Sequence, residues 1–307
     1  MVMEDAMVYK DFDSLIKKVK DFEVVKKVVV ICAHDSHTLE AVFKGVAENI
    51  VSPILIGDKL KIEAILTEMA VTIDPALIFD VENDTEAASL GVEMIREGKA
   101  DFIMKGKINT ADLLKAVVNK EKGLRTGSVM SVVALHEVPG YHKLLCITDG
   151  GMMMYPNLDE KKQVLENAVT TFNNMGYENP KVAVLAAVEV VNPKMPETVD
   201  ADALKQMNLS GEIKNCTVEG PISYDLTMSK ESANIKGFKS DVCGDADILL
   251  VPNITVGNIL SKAIVYSAGA KMAGFIVGAK VPIVLTSRGA TTEEKYLSLV
   301  LSASAVK

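Results

Sequence analysis

Residues 28–56 read VVVICAHDSHTLEAVFKGVAENIVSPILI, and their pattern decides the fold class. Val28–Ala33 is a β-branched apolar run of strand length, Thr38–Asn49 carries apolar residues at helical spacing, and Pro53–Ile56 is short and apolar again. A strand, a helix and a strand in that order join parallel neighbours through a helical crossover. The rhythm continues outward: Lys59–Met69 predicts a helix, Ala76–Val81 a strand, Asp84–Glu97 a helix, Asp101–Met104 a strand and Asn109–Asn119 a helix. Such βαβα order implies an α/β protein with a mostly parallel sheet covered by helices on both faces. Ser131–Leu135 and Lys143–Ile147 are separated only by a turn around Pro139-Gly140, too little chain for a helical crossover, so the sheet is expected to become mixed there.

Further along, helices are predicted at Glu160–Asn174, Ala201–Met207, Ile259–Ala268 and Thr292–Ser302. Strands are predicted at Lys181–Ala187, Cys216–Glu219, Ile248–Val251, Gly274–Val277 and Pro282–Leu285. Thr291-x-x-Glu294 offers a capping box for the last helix. The chain has 307 residues, so two domains are expected. No Gly/Pro/Ser linker separates them, which points to a compact crossover near Glu137–Lys143.

Composition narrows the function classes. Hydrophobic residues make up 49%, enough for a core that needs neither disulfides nor a structural metal. A net charge of −8 disfavours nucleic acid or an anionic membrane as the main partner, but leaves a small anionic ligand open. No apolar run approaches the ~18 residues of a membrane span, and Met1-Val-Met-Glu-Asp5 does not resemble a signal segment. Cys32, Cys146, Cys216 and Cys243 lie far apart with no CxxC pair, so a zinc site is not expected and a reducing, cytoplasmic location is. There is no GxxxxGK[ST], GxSxG or HExxH segment, and Ala33-His-Asp-Ser-His37 stands where a dinucleotide-binding GxGxxG would follow the first strand.

Four segments carry candidate chemistry. In Met104-Lys-Gly-Lys-Ile-Asn-Thr110 a strand ends, a glycine turns and a helix begins. Lys105 and Lys107 beside the helix N-terminus suit an anion, with Asn109 and Thr110 as further contacts; alternatively Asn109 or Thr110 simply caps the helix. In Lys122-Gly-Leu-Arg-Thr-Gly-Ser128, Arg125 between glycines can approach a phosphate bidentately with help from Thr126, or the segment is a plain surface loop. Val251-Pro-Asn-Ile-Thr-Val-Gly-Asn-Ile259 leads small polar residues into a helix, where Gly257 allows close backbone approach and Asn258 can bind a ligand or cap the chain. Lastly, Ser287 and Arg288 follow an apolar strand, where open α/β sheets bind ligands, and Glu293 and Glu294 lie on the next helical turn. Met152, Met153 and Met154 suit either an adaptable apolar pocket or ordinary core.

Three further segments complete a pattern: Val191-Asn-Pro-Lys-Met-Pro-Glu-Thr198, Glu219-Gly-Pro-Ile222 with Asp225, and Cys243-Gly-Asp-Ala-Asp-Ile-Leu-Leu-Val-Pro-Asn253. With Asn258, Lys262 and Ser287-Arg288, their order and spacing over nearly the whole chain resemble the phosphate acyltransferases, and the Asn-Pro-Lys-Met-Pro segment is closer to the butyryl than to the acetyl branch. The resemblance implies two α/β domains with a cleft between them, similar to isopropylmalate dehydrogenase, with residues 1–135 plus 277–307 forming the first and 136–276 an inserted second. It implies a homo-oligomer, dimeric or higher, assembled through the second domain. The implied reaction converts acyl-CoA and inorganic phosphate to acyl phosphate and CoA by direct displacement. CoA is a substrate, and no metal or tightly bound cofactor is expected. By motif position, Arg288 would steady the oxyanion or phosphate, Ser287 would hydrogen-bond the reacting group, Glu293 or Glu294 would act as base, and Arg125 with Thr126 would grip phosphate. Asn253, Gly257, Asn258 and Lys262 would contact substrate. Two other readings compete. A metal-dependent hydroxy-acid dehydrogenase of the same fold class would use Asp225, Asp245 and Asp247 as ligands. The other is a non-catalytic acyl-CoA-binding protein.

Overall fold

A computed structural model of the chain describes residues 8–287 and 289–306. In chain order the helices are α1 (Phe12–Lys20), α2 (Ser36–Ala47), α3 (Lys59–Glu68), α4 (Asp84–Arg96), α5 (Thr110–Val117), α6 (Leu158–Asn174), α7 (Pro196–Leu209), α8 (Tyr224–Met228), α9 (Lys230–Lys236), α10 (Ile254–Ala268) and α11 (Thr292–Ala305). The strands are β1 (Lys26–Ile31), β2 (Val51–Gly57), β3 (Ile78–Asp80), β4 (Phe102–Lys105), β5 (Ser131–Glu137), β6 (Leu145–Thr148), β7 (Lys181–Leu185), β8 (Thr217–Ile222), β9 (Ile248–Leu250), β10 (Lys271–Val277) and β11 (Ile283–Val284).

The chain divides into two compact units. Among the described residues, one holds Asp13–Ser128 and those from Ala273 onward; the other holds Val129–Met272 and Val8–Phe12. These divisions fall a few residues before the expected breaks at 135 and 277. The physical reason is pairing: β5 runs antiparallel to β6, with Leu135 opposite Cys146, so it stays with the second unit. The segment before α1 joins the same unit because Leu144 donates its N–H to the Tyr9 carbonyl at 2.9 Å.

In the first unit the strand order is β3-β2-β1-β4-β11-β10, parallel from β3 to β11 with β10 antiparallel to β11. The chain leaves β1 towards β2 and β3, then returns through α4 to β4 on the other side of β1. With right-handed crossovers this puts α2 and α3 on one face and α4 on the other. It also makes the carboxyl ends of β1 and β4 a topological switch point, where neighbouring crossovers diverge and leave a crevice. Val28–Ile31 is buried throughout, as a strand covered on both faces must be. α11 is buried along Lys295–Ala305 and packs on α2, β11 and β4; its alternation of leucines with small serines and alanines suits a helix enclosed on all sides.

The second unit has the order β5-β6-β9-β7-β8, parallel from β6 to β8. Its core gathers Leu145, Ile147, Ala183, Leu226, Val242, Leu249 and Val251. At the amino ends of β6, β7 and β9, the buried Lys143 ammonium lies 3.0 Å from Asp245 and 2.7 Å from Asp247. Lys181 and His142 also pair with Asp245. Asp225 is taken up by Ser223 and Lys236. Each aspartate considered for a dehydrogenase metal is therefore paired with a lysine, and no group of three or more His, Cys, Asp or Glu that could hold a metal occurs among the described residues.

Candidate functional site

The first unit brings three strand tips side by side, in the order β1-β4-β11. After β1 the chain passes through Cys32, whose φ of 53° is left-handed, to Asp35, which caps α2 by accepting the Thr38 N–H at 3.0 Å. The chain leaving β4 runs flush against this tip: Gly106 and Lys107 donate their N–H groups to the carbonyls of Ile31 and Cys32, each at 2.8 Å. Only glycine fits at 106, because a Cβ there would stand 2.2 Å from the Cys32 carbonyl oxygen. Lys105, at the end of β4, is buried with its Nζ 3.2 Å from the Gly106 carbonyl, whereas Lys107 is exposed. Asn109 occupies the N-cap of α5 without a side-chain cap bond, and Thr110 is the first helical residue; both are exposed. The alternative that Asn109 caps α5 through its side chain therefore does not hold.

Beyond β11 the chain continues to Ser287, which is exposed and accepts the Ala290 N–H at 3.1 Å. Arg288, the candidate for steadying negative charge, lies outside the described residues. Thr291 caps α11 by accepting the Glu294 N–H at 3.1 Å, which is the Thr291 half of the capping box expected there. The two glutamates differ. Glu293 is exposed, whereas Glu294 is half-buried, and burial raises its carboxyl above the ordinary value while Lys295 partly offsets the rise.

Arg125 and Thr126 sit elsewhere. Thr126 Oγ1 donates to the Gly278 carbonyl at 2.6 Å, and Arg125 forms a backbone bridge with Ala279. Residues 278–282 turn into β11, so Arg125 is anchored at the amino end of that strand while Ser287 lies beyond its carboxyl end.

The second unit presents its own tip at the end of β6. Asp149 is buried and its carboxylate accepts the N–H groups of Gly151, Met152 and Met153 at 2.8, 3.0 and 2.9 Å. Burial raises its pKa and those donors oppose the rise. The loop abuts α10, which starts at Ile254 and not at Ile259 as expected. Asn253 is its N-cap, accepting the Val256 N–H at 3.1 Å, so Gly257 and Asn258 lie within the helix. Gly257 is tolerated there because a Cβ would stand 2.7 Å from the Gly150 Cα. Asn258 donates to the Gly150 carbonyl at 3.3 Å, and Lys262, one turn on, is exposed on the same helix face. Met152 and Met153 are half-buried and Met154 is exposed, so this run is not interior core.

The structure thus gathers Lys105, Lys107, Asn109 and Thr110 at the tip of β4, whose direct neighbour β11 leads to Ser287, and it places Asn253, Gly257, Asn258 and Lys262 along the start of α10, which meets the loop after β6 at Gly150. Asp149 escaped the sequence reading. The signal was there: Thr-Asp-Gly-Gly directly after an apolar run marks a tight turn at a strand end.

Comparison with known proteins bears on what these tips serve. Residues 82–303 match the family described as phosphate acetyl/butaryl transferase. A phosphate acetyltransferase of Thermotoga maritima is 45% identical over 278 residues, covering 91% of this chain and 94% of the relative. A phosphate butyryltransferase of Clostridium acetobutylicum is 44% identical over 294 residues, covering 96% and 97%. The crystal structure of a branched-chain phosphotransacylase from Enterococcus faecalis superimposes with a TM-score of 0.79 at 33% identity, covering 92% of this chain and 99% of that one.

Proposed function

This chain belongs to the phosphate acyltransferase family and is an acyltransferase, and from that premise we propose that it interconverts butyryl-CoA and phosphate with butyryl phosphate and CoA. The observation that carries the site assignment is the convergence of Lys105, Lys107 and Ser287 on adjacent parallel strand tips, with Glu294 on the helix that follows. Two lysines beside the N-terminus of α5 attract the phosphate dianion, and Asn109 and Thr110 present further donors to it. In the direction of acyl-CoA synthesis the CoA thiol gives its proton to a base and the thiolate sulfur attacks the acyl phosphate carbonyl carbon. The carbon–oxygen bond then breaks and phosphate leaves. The displacement is direct, so no acyl-enzyme is required.

Of the two glutamates we assign the base to Glu294, whose half-buried carboxyl holds a proton more readily than an exposed one. Ser287 donates a hydrogen bond to the reacting group. Arg288 steadies the developing oxyanion by its motif position, and Arg125 with Thr126 contacts phosphate from its own loop. Asn253, Gly257, Asn258 and Lys262 contact CoA at the tip of β6. CoA enters as a substrate, and the mechanism calls on no resident cofactor.

Butyryl transfer is favoured by the apolar loop Met152–Tyr155, in which Met154 and Tyr155 are exposed although Asp149 fixes the backbone beneath them. Each CH₂ buried against such a surface contributes about 0.8 kcal/mol, so two extra carbons favour butyryl over acetyl roughly tenfold. Acetyl transfer is the second reading, because relatives named for each activity stand at 45% and 44% identity. Butyryl-CoA, phosphate and a thiol reagent, mixed with the protein without NAD or added metal, should release CoA. A kcat/KM series over acyl length should peak at four carbons; a peak at two carbons selects the acetyl reading, and no release with any acyl-CoA removes both.

The chain is further proposed to work as a cytoplasmic homo-oligomer. Its four cysteines are free and buried, which suits a reducing compartment. On α10, Val256, Ile259, Ala263 and Tyr266 form an exposed apolar stripe at helical spacing, suited to a second copy of the same helix. Sedimentation as a monomer at assay concentrations would exclude the assembly.

A further inference from the structure

Lys295 directly follows the candidate base and is buried although its side chain ends in an ammonium group. A buried ammonium is costly unless it is paired and hydrogen-bonded. Its Nζ donates to Asp35 Oδ2 at 2.9 Å and to Thr38 Oγ1 at 2.8 Å. Neither partner belongs to α11: Asp35 ends the β1 tip and caps α2, and Thr38 lies on the first turn of α2. Thr38 Oγ1 itself donates to Asp35, closing a triangle of three groups. A second stitch lies beside it, where Thr292 Oγ1 donates to Glu40 at 2.8 Å and His37 Nδ1 stands 3.1 Å from the same hydroxyl. A methionine at 295 would fill similar volume with no desolvation cost, so packing alone gives no reason for a charge at this place. The charge stands where the loop from Ser287 enters its helix.

We propose that Lys295 is a positioning residue for acyl transfer: by tying the first turn of α11 to the tip of β1, it fixes Glu294 and the loop that begins at Ser287 relative to the tips of β1 and β4. The inference rests on the reading of Glu294 as the base. Lys295 also has an electrostatic consequence, since burial raises the Glu294 carboxyl and the ammonium opposes that rise. Burial alone would raise Asp35 as well, but Thr38 and Lys295 together hold it below its ordinary value, so the pair stays charged. The other titratable groups about this junction are His37 and Glu40 on α2, Glu293 on α11, and Lys105 at the tip of β4, on which α11 also packs.

The test compares Lys295→Met, Lys295→Arg, Thr38→Val and Glu294→Gln by kcat, KM for both substrates, the pH profile of kcat and thermal stability. Lys295→Met should lower kcat roughly 10–100-fold with both KM values within about twofold of the parent, the signature of misplaced reacting groups. Its acid limb should move to higher pH, because Glu294 loses the cation that keeps it ionised. Lys295→Arg should recover part of kcat and return the limb towards the parent position. Thr38→Val keeps the Lys295–Asp35 ion pair and removes the two hydrogen bonds of the Thr38 hydroxyl, to Lys295 and to Asp35, so it should lose a smaller part of kcat with the limb in place; it carries the test should Lys295→Met fail to fold. Parental kcat and an unmoved limb in folded Lys295→Met, with only the melting temperature lowered, would make Lys295 merely structural and overturn the proposal. Parental turnover in Glu294→Gln overturns the base assignment instead, and Lys295 as a positioning residue is then judged on the kcat loss alone.

Discussion

At the scale of single residues, two carboxyls one position apart have different fates because α11 turns one outward and one towards the interior. Glu294→Gln should lower kcat on the order of 10²–10⁴-fold in the direction that consumes CoA thiol, while Glu293→Gln should leave it near the parent value. The parent rate should fall as pH drops through the raised Glu294 pKa, since only the carboxylate accepts the thiol proton. A pH–rate profile with the same acid limb in Glu294→Gln as in the parent refutes the assignment. Arg125 poses the complementary question. Its backbone is anchored beside Ala279 at the amino end of β11, away from Ser287, yet its side chain is exposed and free to reach. Arg125→Ala should raise KM for phosphate more than it lowers kcat; an unchanged phosphate KM makes the segment an ordinary surface loop. The Ser-Arg-x₄-Glu-Glu pattern was legible from sequence alone, but the choice between the glutamates was not, because burial depends on how α11 docks against α2 and no local spacing encodes that.

At the scale of elements, the decisive contact is the run of β4 alongside the tip of β1. Gly106→Ala places a methyl 2.2 Å from the Cys32 carbonyl oxygen, a backbone atom that cannot rotate away. The substitution should displace Lys105 and Lys107 together, cost a few kcal/mol of stability as overpacking does, about 1–3, and raise KM for phosphate. Unfolding and kinetics indistinguishable from the parent would mean that the two tips do not meet as described. Elements with strong periodicity were legible: α4 was expected at Asp84–Glu97 and spans Asp84–Arg96, and α6 was expected at Glu160–Asn174 and spans Leu158–Asn174. Others were hidden by their chemistry. α10 begins five residues early because Asn253 caps it, so Gly257, read as a place of close backbone approach ahead of the helix, makes that approach to Gly150 from inside it. α7 starts at Pro196, the first helical position that proline tolerates, and not at Ala201. The short α8 and α9 follow β8 with only Ser223 and then Ser229 as breaks, and at five and seven residues neither is long enough for an apolar stripe to announce a helix.

At the scale of the whole molecule, stability against pH is set by opposing effects. The net charge of −8 shrinks as carboxylates protonate, and the loss of self-repulsion favours the compact state on mild acidification. That gain is screened at physiological ionic strength, where the Debye length is about 8 Å. Against it stands His136, fully buried in β5 opposite Leu145, where only the backbone of Leu145 and Ala134 comes near its ring and neither nitrogen makes a well-formed hydrogen bond among the described residues. Burial lowers its pKa to about 4. The unfolded chain therefore binds a proton near pH 6.5 that the folded chain refuses, and stability falls as pH drops from about 6.5 to about 4, by roughly 3 kcal/mol in all. Asp245 continues the trend in a lower window. Burial alone would raise it, but Lys181, His142 and Lys143 hold it well below the ordinary carboxylate range, so the stability it contributes is lost below about pH 4. The His136 contribution arises at a buried group, whereas self-repulsion acts between solvent-exposed charges that salt screens, so acid should destabilise this protein from pH 6.5 downward even as its net charge approaches zero. His136→Leu keeps the volume and removes the titration. Denaturant unfolding between pH 7 and pH 4.5 should show a steep loss in the parent and a nearly flat line in His136→Leu; parallel slopes for the two proteins would move the origin of acid sensitivity away from β5.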